Sequence, residues 1–174
     1  AAGSMLLMDS LAGLSDLVWS LTGPSGEVVA GRRFDQTDAN QRVQDPVLRL
    51  AAGSYRLTVA ATSDRTGSYD FRLRDIAAEA ADAAFGDEIL GNLPDGGRGT
   101  AIYRLTAAEF DAFSLSVAAW PAGNTAWRLI SRDGYALTDS RALRSAGPFV
   151  APYAGDYYLT VEGSLNDAPT TNPY

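Results

Sequence analysis

The chain has 174 residues, 46% of them apolar, which is enough for one or two small packed domains. Its formal charge of −7 sets 21 acidic residues against 14 cations, so a phosphate backbone meets net repulsion and nucleic acid is not an expected partner. Every cation is Arg; without His, Cys or Lys there is no Ser-His or Cys-His nucleophile, no imidazole or thiolate metal site, no Schiff-base amine and no disulfide.

The catalytic chemistry left is a carboxylate pair or a Tyr, and the chain reads as a non-enzyme. No apolar run approaches the roughly 20 residues of a membrane-crossing helix, and no basic-headed signal segment is visible, so membrane insertion is not expected. Ala1 to Ser4, ahead of Met5, read as an added tail, and the whole reads as a segment of a longer protein.

In chain order, Met5 to Leu11 and Asp16 to Leu21 read as a strand pair joined by a short loop. Gly23-Pro24-Ser25-Gly26 is a turn signal, and Glu27 to Ala30 resumes a β-prone run. Gly31 to Asp45 is polar, with Phe34 and Val43 as apolar anchors, and reads as a long loop with at most one short strand. Val47 to Leu50 leads into Ala52-Gly-Ser-Tyr-Arg-Leu-Thr-Val59, whose alternation marks a strand with one face in a core. Gly53 sits at its entry, where a turn often calls for positive φ. A hairpin connection over 62–68 then leads to the strand Tyr69 to Leu73.

Ile76 to Phe85 is Ala-rich and suits either a short helix or an extended connector; it marks a boundary between two units. Gly91 to Gly99 is a turn-rich loop, and Ala101 to Leu105 and Ala112 to Val117 alternate as strands. The earlier pattern then returns. Trp19 and Gly26 are echoed at an offset of 108 by Trp127 and Gly134. The Gly-x-Tyr strand returns at an offset of 102 as Ala154-Gly-Asp-Tyr-Tyr-Leu-Thr-Val161, with six of its eight residues identical. That order of Trp strand, Gly turn, loop and Tyr strand predicts an internal repeat: units at 1–75 and 76–174, the first lacking its opening strands and the second its last, which starts at Pro173-Tyr174. The incomplete first unit is expected to dock on the second or to borrow strands from a neighbouring chain.

Trp-x-Leu before a turn Gly, then Ala-Gly-x-Tyr-x-Leu-Thr-Val, then Gly-x-Tyr-x-Phe-x-Leu resembles the bacterial pre-peptidase C-terminal type domains. The resemblance covers residues 1–75 in part and 76–174 nearly completely. It implies an all-β, antiparallel β-sandwich of jelly-roll character, about 100 residues per module, arrayed in tandem in large secreted or cell-surface proteins. Some relatives bind calcium or polymers such as collagen, but no motif here carries those ligands over.

Trp19 and Trp127 are expected in the cores, and Tyr55 and Tyr157 with their phenols on backbone partners. Trp120, before Pro121, has no aromatic counterpart in the first unit. With loop residues Tyr135 and Tyr153 and an outward Tyr158 it outlines a glycan-stacking platform; scattered surface aromatics are the plainer reading. Asp87, Asp95, Asp133 and Asp156, with Asp139 and Asp167, recur in loops of the kind that supply oxygens to calcium. Calcium is the one candidate cofactor, although Gly96-Gly97-Arg98-Gly99 followed by Ala101 fails the calcium nonapeptide pattern and no Asp-x-Asp-x-Asp-Gly spacing occurs. The expected function is a non-catalytic structural or adhesive module of a bacterial extracellular protein, contacting neighbouring repeats and a glycan or protein on a surface. The alternatives are a carbohydrate-binding module and an accessory domain of a secreted hydrolase.

Overall fold

The computed structural model describes residues 3–37, 43, 45–64, 66–118, 124–139, 141–165 and 173–174. Within them the chain is an all-β, antiparallel sandwich, as the period-2 alternation predicts. β1 (Ser4–Ser10) lies between β4 (Val47–Leu50) and β6 (Phe71–Asp75), and β2 (Leu17–Gly23) between β3 (Gly26–Arg33) and β5 (Arg56–Ala61). The two sheets close on Met8, Trp19, Leu21, Phe34 and Leu48.

After β6 come a one-turn helix α1 (Ile76–Glu79), β7 (Ala81–Asp82), β8 (Thr100–Ala107), β9 (Ala112–Leu115), β10 (Ala126–Ile130), β11 (Arg141–Ala142), β12 (Ala146–Val150) and β13 (Gly155–Glu162). One sheet has the order β11-β10-β13-β8-β7 and the other pairs β12 with β9; Trp127, Leu129, Tyr157, Leu159 and Val161 fill the core between them. Among the described residues only the two-residue β7 departs from the antiparallel rule, running parallel to β8.

The two Trp strands have the same partners in the same register. Trp19 lies opposite Val59 and Leu21 opposite Leu57; Trp127 lies opposite Val161 and Leu129 opposite Leu159. Both indoles are buried, at 0% and 2% exposure. Each following tyrosine turns back on the carbonyl four residues earlier, Tyr55 Oη to Ala51 O at 2.9 Å and Tyr157 Oη to Tyr153 O at 2.6 Å. A Tyr in this position gains core area from its ring and satisfies its hydroxyl at the rim.

Several sequence expectations change. β1 and β2 are not a pair: they belong to different sheets, because the apolar sides of Met8, Trp19 and Leu21 must face one another across a core. β5 and β6 likewise sit in opposite layers, so 62–68 crosses between sheets instead of closing a hairpin. β3 runs on to Arg33, and the 3₁₀ turn Phe34–Gln36 buries Phe34, so the supposed long loop contributes to the core. At the strand entries, Gly155 has φ 140° as expected, but Gly53 owes its place to closeness: a Cβ there would lie 2.5 Å from Pro24 Cγ.

The Ala-rich segment resolves into both alternatives. Asp75 Oδ1 accepts from the Ala78 N–H at 3.0 Å while Glu79 Oε1 accepts from the Asp75 N–H at 2.9 Å, which caps one helical turn before β7 extends the chain. The end of the chain does not start a counterpart of β6 beside β9. Tyr174 and Gly91 exchange both backbone hydrogen bonds, at 3.0 and 3.2 Å, and the Tyr174 and Tyr103 hydroxyls meet at 2.5 Å.

Candidate functional site

Outside the two cores, a third cluster of buried side chains forms where the sheets β4-β1-β6 and β10-β13-β8 meet. Their outward faces meet. Alternation turns Leu7 and Val47 toward Ile102, Ile130 and Tyr158, and Ile76 at the start of α1 joins this third apolar cluster. Burial on the second face of a sheet is as favourable per unit area as on the first, roughly 25 cal/mol per Å² of apolar surface.

Polar groups surround that apolar centre. Asp9 is fully buried; its Oδ2 accepts from the Thr100 N–H at 3.3 Å and pairs with Arg74 at 3.3 Å. Arg74 also donates to Thr100 O at 3.0 Å and to Glu79. Burial, the largest influence, pushes the Asp9 carboxyl above its ordinary value, against the Thr100 N–H and Arg74, which pull it down. Further around, Arg72 pairs with Asp95 at 2.5 Å, and Arg128 donates to Val43 O and Arg49 to Gly134 O, both at 2.8 Å. Each Arg reaches from one sheet pair to a carboxylate or carbonyl of the other.

Contact between the two parts is one of the two outcomes expected of an incomplete first unit, but alternation, which assigned the outward positions to water, does not give the residues that form it. The missed signal lies in Met5-Leu-Leu-Met8 and Tyr157-Tyr-Leu-Thr-Val161, near-continuous apolar runs of the kind that mark strands covered on both faces.

Tyr158 is corrected accordingly. It points away from its own core, as expected, but is only 4% exposed, because the first sheet pair covers it. It belongs to no surface platform. Tyr135 is exposed and carries the Arg49 guanidinium 4.2 Å from its ring centre. Tyr153 is half-buried, stacked on Tyr157 with centroids 6.4 Å apart, with Arg132 at 5.3 Å. Trp120 lies outside the described residues, as does Asp167.

The candidate calcium ligands are engaged separately. Asp87 accepts from the Ala84 N–H, Asp95 pairs with Arg72, Asp133 lies 3.6 Å from Arg132, and Asp156 accepts from the Thr106 hydroxyl. Among the described residues no three carboxylates gather as a metal site would require.

A cavity of about 330 Å³ beside β9 is lined by Phe85, Gly86, Asp111, Ala112, Phe113 and Ser114. Next to it Phe110 is 71% exposed with φ +65°, a conformation that bulky residues rarely adopt. The turn is held by Phe110 N–H to Ala151 O at 2.8 Å and Ala108 N–H to Asp111 Oδ2 at 2.7 Å.

No protein-family model matches the chain, and no curated protein matches it. Among the described residues no helix is long and apolar enough to cross a membrane.

Proposed function

We propose that the chain is a non-catalytic structural or adhesive module, made of two copies of one sandwich unit at 1–75 and 76–174 and belonging to a bacterial extracellular or cell-surface protein. The observation that carries the reading is the recurrence of the Trp–Val register and the Tyr-to-carbonyl bond, together with the seating of one sheet pair on the other. Apolar contact ringed by Arg–carbonyl and Arg–carboxylate bonds resists rotation between the two parts, which is what a spacer must do. A composition without His, Cys or Lys supports the absence of catalysis, and the resemblance to pre-peptidase C-terminal type domains supports the extracellular setting.

A glycan array separates this reading from a carbohydrate-binding one. A structural module retains no glycan, and its profile is the same for Trp120→Ala. Saturable binding that Trp120→Ala abolishes overturns the structural reading in favour of the carbohydrate-binding module.

A further inference from the structure

Asp9 stands in the contact between the two sheet pairs, two residues from Leu7 on the outward face of β1. That contact takes it out of water: the carboxyl is fully buried, and Thr100 on its far side belongs to β8. Only one of its oxygens is satisfied. Oδ2 faces the Thr100 N–H and Arg74, whereas Oδ1 has no hydrogen-bond partner among the described residues. The Thr100 hydroxyl stands beside the same carboxyl, equally buried and equally unpartnered. The surrounding charges leave this carboxylate short of a cation. From β6, Arg74 divides itself between Asp9, Thr100 O and Glu79 of α1, while Arg72, opposite Asp9 in register, is drawn off to Asp95 of the turn 94–97. β1 has no other charge. On the other side Glu162, opposite Thr100 in register, is buried as well, and it and Arg98 each have an interaction of their own. Within this chain of contacts the carboxylates of Asp9, Glu79 and Asp95 share the guanidiniums of Arg72 and Arg74. A buried carboxylate with one oxygen unpaired and its cation shared favours the neutral acid, whose O–H on Oδ1 is a donor beside the free Thr100 oxygen.

We propose that Asp9 is a proton-operated latch: it takes up one proton from solvent when the two sheet pairs dock, so that acid tightens the contact and rising pH loosens it. Burial, which raises the carboxyl above its ordinary value, acts in the same direction. The stabilising contribution is fully present below the value of the undocked carboxyl and is lost as pH rises through the raised, docked one. The latch rests on the docking that carries the spacer reading and adds a control to it, a joint that is firmer in acid surroundings.

Amide hydrogen exchange on the full chain, corrected for its intrinsic pH dependence, reads the latch at the Thr100 N–H, which is donated to Asp9. The amides of the β2–β5 ladder serve as the measure of global unfolding. Thr100 is expected to exchange ahead of that ladder. Its protection is expected to rise as pH falls from about 7 toward about 4, by up to about tenfold per pH unit, the limit for one linked proton. In Asp9→Asn, which keeps an acceptor for the Thr100 N–H and cannot titrate, the protection is flat across that range. A flat profile in the wild-type chain, a slope that survives in Asp9→Asn, or protection equal to that of the ladder at every pH overturns the latch and leaves the spacer reading standing. A Thr100 amide unprotected at every pH removes the docking itself, and both readings with it.

Discussion

The indole N–H of Trp19 is donated to the Thr37 hydroxyl at 2.8 Å, and that hydroxyl in turn donates to Arg33 O at 2.8 Å. Trp127, in the matching strand and register, has no hydrogen-bond partner for its indole nitrogen among the described residues. The two sites bury the same side chain with different polar outcomes. Trp19→Phe removes a buried hydrogen bond as well as shrinking the ring, leaving the Thr37 hydroxyl only its donation to Arg33 O, while Trp127→Phe removes an unpaired donor. Chemical denaturation is expected to show Trp19→Phe costing about 1 kcal/mol more than Trp127→Phe. Equal costs contradict the inequivalence.

The two tyrosines differ in burial in the same way. Tyr157 is fully buried and its hydroxyl meets Tyr153 O, whereas the Tyr55 bond to Ala51 O is exposed to solvent. Tyr157→Phe removes a bond that solvent reaches only in part and is expected to cost about 1 kcal/mol; Tyr55→Phe, where water substitutes, costs a few tenths, roughly. Thermal melts of the two variants rank them.

Arg49 joins the two sheet pairs through Gly134 O and the Tyr135 ring. The side chain is about one-third exposed, at 35%, so solvent screening reduces its worth. Arg49→Ala is expected to lower stability by about 1 kcal/mol or less, and Tyr135→Ala in the same background to add little, because the stack is already gone. A double-mutant cycle by denaturant melts reads the coupling; strict additivity contradicts the contact.

Asp9 gives a pH dependence with a definite sign. Burial raises its folded value above the ordinary 3.8, so the folded state holds the proton more tightly than the unfolded state. That contribution is fully present below the unfolded value and is lost as pH rises through the raised folded value. Relative to Asp9→Asn, which cannot titrate, the wild-type chain is expected to gain stability as pH falls from about 7 toward about 4. A difference between the two proteins that is flat or runs the other way, in denaturation midpoints across that range, contradicts the assignment.

Most of the longer strands, and which side chains they turn inward, were legible because alternation is a local property; β12, in a stretch read as loop, was not, since Ala146-Gly-Pro-Phe-Val150 carries a Gly and a Pro and no alternation. Leu57 and Val59, Leu159 and Val161, and both Trp residues all face cores as the pattern requires. Sheet membership was not legible, since nothing local to Ser10 or Leu17 says that the loop between them crosses a layer. The platform residues fared unevenly for a related reason. Tyr158 is outward in its own sheet, and only the arrival of Leu7 and Val47 from a distant part of the chain buries it. Asp9 reads as a surface acid until Thr100 and Arg74, far apart in sequence, close around it.

The outward face of β1 is seated on the outward face of β8, β10 and β13. Nuclear Overhauser contacts in solution between the methyl groups of Leu7 or Val47 and those of Ile102 or Ile130 test it directly. Clear cross-peaks between the two sets are predicted. Their absence, in a protein that still shows the Trp19–Val59 and Trp127–Val161 contacts within each part, contradicts the docking.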